Sequence, residues 1–183
     1  GFAKTGLTSN WVLSDFEVPL VNSLTPSPLL ISDGTSSFTI TVDYNEAMIS
    51  DGSQDPTISF PVENPTTLSF SSGVWINTQS YEATYTIIDV EEELTDVDIQ
   101  VTGAQDLAGN DQTVFDEQDA FSIDMLTPSI TSGSSSVNMS ENNGSVESYG
   151  ADETVTWSLS GVDASFFNIS FTTGNLNFSA TPD

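Results

Sequence analysis

Carboxylates are the side chains of this chain that offer the most chemistry. Its 183 residues include 27 Asp plus Glu, a single basic residue, Lys4, and neither His nor Cys. Zinc sites, thiol nucleophiles and the usual general base are therefore excluded. Two kinds of carboxylate chemistry remain. One is acid and base catalysis by a carboxylate pair, as in glycosidases, and the other is binding of a hard divalent cation by oxygens from separate loops.

The net charge of −26 restricts the partners of the chain. Such a charge repels nucleic acids and anionic membranes and attracts cations, so we expect no nucleic-acid partner. No apolar run approaches the roughly 20 residues of a membrane span, and we expect no membrane insertion. Self-repulsion destabilises a compact chain at low salt, and bound divalent ions or a saline medium would relieve it. Solubility alone is the alternative explanation for the acidic composition.

The elements that must position the carboxylates are strands, because apolar residues recur with a period of two. The alternating segments are 38–44, 81–87, 97–101 and 155–159, and turn-like clusters of Gly, Ser, Asp and Asn lie at 51–53, 71–73 and 108–110. This pattern predicts an all-β fold of antiparallel β-sandwiches in which one face of each strand is buried. It also predicts that Trp157 lies on a core face with Val155 and Leu159.

A weak internal repeat suggests the domain boundaries. Residues 16–19, followed by Thr25-Pro26, resemble residues 121–124, followed by Thr127-Pro128, and the interval from Phe16 to Phe121 is 105 residues. Each copy has the pattern of a last strand that runs into a linker stiffened by proline. We therefore predict a complete domain over residues 21–126 and the beginning of another over residues 127–183. Residues 1–20 would be the tail strand of a preceding domain or a donor strand.

Residues 21–126 resemble a known kind of surface repeat. The segments 38–48, 72–75, 81–85 and 101–110 are similar to bacterial Ig-like repeats of giant surface adhesins. Asp106-Leu107-Ala108-Gly109-Asn110 is the most specific of them. Gly109 and Asn110 can take positive φ and close a tight turn while Asp106 accepts backbone N–H groups. This structural role for Asp106 stands beside a calcium-binding role as an open alternative.

Residues 127–183 have a second resemblance. The segments 137–142, 150–152, 155–161, 167–169 and 173–176 follow the order of the N-terminal part of a cadherin-like repeat of bacterial surface proteins. The resemblance implies that Glu141 and Asp183 lie at one pole of the domain as calcium ligands. The family pattern continues after this Asp with two more strands, so the resemblance implies that residues 132–183 supply only the first half of a sandwich.

Both resemblances imply Ca²⁺ as the cofactor. In related repeat proteins calcium lies between consecutive domains, and here the candidate ligands are Asp124 in the linker, Asp106 from the preceding loop and Asp152 from the following domain. Repulsion among these carboxylates would keep the junction loose until a cation neutralised it, which would turn a flexible tandem array into a rod.

The function that these expectations favour is structural. We expect no enzymatic activity, since no segment has the pattern of a cleft built on a carboxylate pair. The first hypothesis is a spacer segment of a secreted or cell-surface, calcium-stiffened repeat adhesin, whose partners are neighbouring repeats and whose distal ligand is unspecified. The alternative is a subunit of a surface filament or surface layer. Its incomplete C-terminal domain would be completed head to tail by residues 1–20 of an identical chain.

Overall fold

A computed structural model describes residues 15–181, which fold as two compact units divided between Leu126 and Thr127. Strands make up every regular element of this part of the chain except one short 3-10 helix, Ala164–Phe166. The prediction of an all-β fold is therefore confirmed. None of the described helices is long and apolar enough to cross a membrane.

The first unit is a sandwich of two four-stranded sheets. Its strands are β1 Val21–Ser27, β2 Leu30–Ser32, β3 Phe38–Tyr44, β4 Thr57–Ser59, β5 Leu68–Asn77, β6 Ser80–Ile87, β7 Glu93–Thr102 and β8 Phe115–Asp124. One sheet has the order β1-β3-β6-β5 and the other β2-β8-β7-β4. Neighbouring strands are antiparallel except β2 and β8, which are parallel. The chain passes from the first sheet to the second around the cis Ser27–Pro28 bond.

Alternation along β3, β6 and β7 builds the core of this sandwich. Because successive side chains of a strand point to opposite faces, one apolar set from each strand faces the other sheet. The fully buried members include Phe38, Ile40, Val42, Tyr81, Ala83, Tyr85, Val97, Ile99 and Val101. Phe38 lies at the centre, with its ring 4.6 Å from Phe121 and 6.0 Å from Tyr85. The alternating patterns at 38–44, 81–87 and 97–101 thus identified the principal core strands.

The turn expected at residues 71–73 does not exist. These residues lie inside β5, where the pairing with β6 shifts register between Phe70 and Ser72. Gly73 is required there because a Cβ at this position would collide with the Tyr81 hydroxyl. A bulge and a turn both favour Gly and Ser, so composition alone does not distinguish them.

The second unit contains shorter strands: β9 Ile130–Ser132, β10 Ser145–Ser148, β11 Gly150–Ala151, β12 Phe167–Ile169 and β13 Asn175–Phe178. β9 pairs with β11, and the other three form a sheet of order β10-β13-β12. Every fully buried apolar side chain among the described residues belongs to the first unit. In the second unit Val162 is 95% exposed and Phe171 67% exposed.

The strand expected over residues 155–159 is also absent. This segment forms no ladder; its Trp157 N–H donates to the Phe171 carbonyl at 2.9 Å, and residues 171–173 form a turn. The Trp157 ring is half-buried and lies 6.2 Å from that of Tyr149, whereas Leu159 is 38% exposed. The expectation was wrong because alternation describes a strand only where a neighbouring strand is present to pair with it.

Candidate functional site

Asp106 organises the connection between β7 and β8. Its Oδ1 accepts hydrogen bonds from the backbone N–H groups of Ala108 and Asn110, both at 2.8 Å, and its Oδ2 accepts one from Asn110 Nδ2 at 2.7 Å. Gly109 takes a φ of +87°, which closes the turn without a Cβ penalty. The structural role considered for Asp106 is therefore present in the structure.

Hydrogen bonding also controls the charge of Asp106. The residue is only 1% exposed, and burial by itself would raise its pKa. The hydrogen bonds that Asn110, Ala108 and Gly109 donate outweigh burial and lower the pKa of Asp106 below its ordinary value. The turn thus keeps a buried carboxylate ionised.

Two further carboxylates approach Asp106. One oxygen each from Asp15, Glu46 and Asp106 lie within 4.8 Å of one another, and we call these three residues the acidic cluster. Asp15 is exposed, Glu46 is half-buried and Asp106 is buried. Glu46 follows the end of β3, and Met48 joins this segment to the Asp106 turn through an isolated β-bridge. The cluster therefore combines the incoming chain, the β3–β4 connection and the β7–β8 connection.

The segment that carries Asp15 is held against the same turn by Asn110. The Asn110 Nδ2 donates to the backbone carbonyls of Asp15, at 3.3 Å, and Glu17, at 3.0 Å. Farther along, the Leu20 N–H donates to Asn45 Oδ1 at 2.8 Å. Side-chain amides thus attach the chain to this pole of the sandwich before β1 begins.

Glu46 is the electrostatically unfavourable member of the acidic cluster. Its Oε1 is buried and has no hydrogen-bond partner among the described residues. Burial first, and then the charges of Asp106, Asp15 and Glu17, raise the pKa of Glu46 above its ordinary value. The only Lys or Arg of the chain is Lys4, so no basic side chain within residues 15–181 offsets these charges. A divalent cation among the three oxygens would offset them.

The structure does not bring Asp124 to Asp106. Asp124 is the last residue of β8, where it pairs with Glu93 of β7 and Ser32 of β2. Asp106 lies in the connection that leads into the first residue of β8, Phe115. A ten-residue strand spans roughly 30 Å, so the two carboxylates occupy opposite poles of the first unit.

The remaining predicted ligands lie in the second unit or outside the described residues. Asp152 Oδ1 accepts a hydrogen bond from the Ser129 N–H at 2.8 Å, and the Asp152 N–H donates to the Ser129 carbonyl at 3.1 Å. Asp152, which follows β11, therefore links the end of β11 to Ser129, the residue before β9. Glu141 is exposed in a turn, and Asp183 lies outside the described residues.

Asp15 and Glu46 were not among the predicted ligands. Glu46 lies in the segment 38–48 that carries the resemblance to Ig-like repeats, and Asp15 precedes the first repeated motif. The signal that could have found them is the strand order, because the end of β3 and the connection from β7 to β8 lie at one pole of this sandwich.

Comparison of the chain with known proteins adds no functional assignment to this geometry. No protein-family model matches the sequence, and no curated protein is similar to it.

Proposed function

We propose that this chain is a structural spacer segment of an extracellular repeat adhesin and that Ca²⁺ stiffens it at the acidic cluster. The observation that carries the proposal is the approach of three carboxylate oxygens to within 4.8 Å, with the buried Oε1 of Glu46 left without a hydrogen-bond partner among residues 15–181. Oxygen donors from three separate segments are what a hard cation such as Ca²⁺ requires. The role is mechanical, and we propose no catalytic step.

The strand order supports the Ig-like part of this proposal. Lettered in chain order, with β1 and β2 as two parts of strand A, the first sheet has the order A-B-E-D and the second carries G-F-C. Immunoglobulin domains of the constant type have ABED facing CFG. Fold and function are separate questions, however, and the spacer role depends on the acidic cluster.

Calcium would act on the segment that enters the sandwich. Asn110 already holds the carbonyls of Asp15 and Glu17, whereas the Asp15 carboxylate faces the like charges of Glu46 and Asp106. A cation that joined the three carboxylates would turn this repulsion into attraction and fix residues 15–20 to the pole. The three oxygens supply fewer than the 6–8 that calcium takes, with backbone oxygens and water as the remaining donors. We therefore expect the weak affinity of extracellular modules, on the order of 0.1–1 mM.

Calorimetric titration of the full chain with CaCl₂ tests this function. We expect a saturable heat and a higher melting temperature for the native sequence, and a loss of both in Asp15→Asn and Glu46→Gln. Asp51→Asn is the matched control, because Asp51 is an exposed carboxylate whose Oδ1 is engaged by its own turn through Ser53. Equal calcium responses in all four proteins, or no response in any, would contradict the proposal.

The filament subunit remains a second candidate function. What favours it is the second unit, whose sheet β10-β13-β12 has two unpaired edges and no fully buried apolar side chain among its described residues. Free strand edges are templates for the addition of a strand from another chain. Concentration-dependent growth of the full chain in sedimentation velocity would support this candidate, and a monomer at every concentration would exclude it.

A further inference from the structure

β5 is an edge strand that lacks two of the three usual protections. It is the last strand of the sheet β1-β3-β6-β5, where, among residues 15–181, it pairs with β6 alone. Its ten residues, Leu68–Asn77, include no charged residue and no proline in a chain with 27 acidic residues. Soluble proteins commonly protect such edges with charges, prolines or bulges. β5 has register shifts at 70–72 and 75–77 but lacks the other two devices.

A cavity lined mainly by aromatic and aliphatic residues opens beside this edge. It has a volume of about 240 Å³ and is lined by Pro56, Ile58, Phe70, Tyr81 and Tyr85, among others. Its lining comes from β4, from Phe70 of β5 and from the core face of β6. Because β4 and β5 are edge strands of the two sheets, the cavity lies where the sandwich is open. Phe70 is 60% exposed there and contacts Tyr85 edge to face at 5.8 Å.

A strand added to the outer edge of β5 would fill this opening. Its backbone would pair with the free N–H and C=O groups of β5, and every second side chain would point between the two sheets. The occupant must therefore carry alternating apolar side chains. It must also lack carboxylates, because the surrounding protein is strongly acidic and the described residues carry no Lys or Arg.

One segment of this chain has that composition. Residues 1–14 contain no Asp or Glu and carry the only basic residue, Lys4. Within them Leu7, Trp11 and Leu13 fall on one alternation, with a small residue, Ser9, between. All 27 carboxylates lie in the rest of the chain, so the segment is electrostatically complementary to the body of a second copy.

The position of Asp15 indicates whether the strand added to β5 comes from the same chain or from a second copy. Asp15 lies beside Asp106 in the acidic cluster, and Met48 forms an isolated β-bridge with Asp106. The Met48 N–H also donates to the carbonyl of Thr78, the residue just after β5. Asp15 therefore lies at the pole where β5 ends. A segment that runs along β5 toward its own Asp15 would therefore be parallel to β5. The other neighbours in this sheet are all antiparallel, and parallel pairing is somewhat less stable. We propose that residues 7–13 of a second copy pair antiparallel with β5 and place Trp11 or Leu13 in the cavity.

This inference deepens the second candidate function and places the acceptor in the first unit. The test uses three full-length variants: Trp11→Asp with Leu13→Asp, which removes the donor; Phe70→Asp, which places a carboxylate at the acceptor; and Leu29→Asp, a control at an apolar residue that is 67% exposed in the connection from β1 to β2. Sedimentation velocity is measured over a concentration series at about 0.15 M salt, where charge repulsion is screened beyond about 8 Å. Each sample is run with calcium and with chelator, so a failure of calcium binding does not affect the result.

We expect the native chain and Leu29→Asp to associate with rising concentration and the donor and acceptor variants to remain monomeric. Mixing these two variants should give a dimer and nothing larger, because only one intact donor and one intact acceptor are present. Excess synthetic peptide of residues 1–14 should dissociate the native assemblies. A monomeric native chain, association that survives both variants, or a mixture that stays monomeric would each overturn the proposal. Circular dichroism melting of every variant verifies that loss of association is not loss of fold.

Discussion

Glu46→Gln should leave the calcium-free protein at least as stable as the native chain and should reduce the stabilisation that calcium gives. Without calcium, burial and the charges of Asp106, Asp15 and Glu17 raise the pKa of Glu46, so its negative charge is unfavourable in this place. The amide keeps the shape of the side chain and removes one charge from the acidic cluster. We therefore expect the melting temperature of the apo protein to stay the same or rise. With calcium the same variant lacks one of three carboxylate ligands, and its calcium-dependent stabilisation should be smaller.

The size of this effect follows from linkage. For a dissociation constant of about 1 mM, 10 mM CaCl₂ stabilises the native protein by about 1.4 kcal/mol. For a domain of this size that corresponds to a rise in Tm of about 5–10 °C. If losing one carboxylate weakens binding about tenfold, the stabilisation falls to about 0.4 kcal/mol and the rise to about 2–3 °C.

The pH dependence in chelator gives an independent measure of the same group. A carboxyl whose pKa is higher in the folded than in the unfolded chain stabilises the fold below its unfolded pKa, ordinarily 4.5 for Glu46. That contribution is lost as the pH rises through the raised pKa. The native chain should therefore lose stability over this interval relative to Glu46→Gln. Identical pH profiles in chelator, together with an equal calcium shift in both proteins, would refute the reasoning.

The remaining predictions concern the other pole, the core and the edge strand. Asp124→Ala should leave the calorimetric calcium response unchanged, since Asp124 lies at the opposite pole from the acidic cluster. Phe38→Ala should destabilise the first unit by about 3–5 kcal/mol in urea unfolding, whereas Trp157→Ala, at a half-buried site, should cost the second unit less. Gly73→Ala should lower the melting temperature, because its Cβ would displace the Tyr81 hydroxyl; an unchanged value would contradict the close packing of Gly73 against Tyr81.

The sequence predicted features that depend on local pattern and missed those that depend on pairing. Alternation identified β3, β6 and β7 because a strand buried on one face must alternate, wherever its partners lie in the sequence. The same pattern failed at residues 155–159, where no neighbouring strand completes a ladder. Residues 71–73 were assigned to a turn because Gly and Ser suit turns and bulged strands equally well.

The acidic cluster shows the same limit. The segment 106–110 was recognised because its turn is made by residues within four positions of Asp106. Asp15 and Glu46 are 91 and 60 positions away from Asp106, and only the strand order of the sandwich brings them near. Asp106 was paired with Asp124 because the β7–β8 connection and the linker lie close together in the sequence. That prediction overlooked β8, which lies between them and carries Asp124 to the opposite pole.

Asp106 can be both a turn residue and a calcium ligand, because the two roles depend on each other. The hydrogen bonds that form the turn lower the pKa of Asp106 and keep its charge in a buried position. That fixed charge contributes to raising the pKa of Glu46, and it is the unfavourable interaction that a cation would relieve. Meanwhile Asn110 of the same turn holds the Asp15 and Glu17 carbonyls without any ion. Calcium would then strengthen an attachment that already exists, so we expect chelation to loosen residues 15–20 and to leave the sandwich folded. Hydrogen exchange confined to these residues on chelation would agree with this view, and exchange spread through the core strands would contradict it.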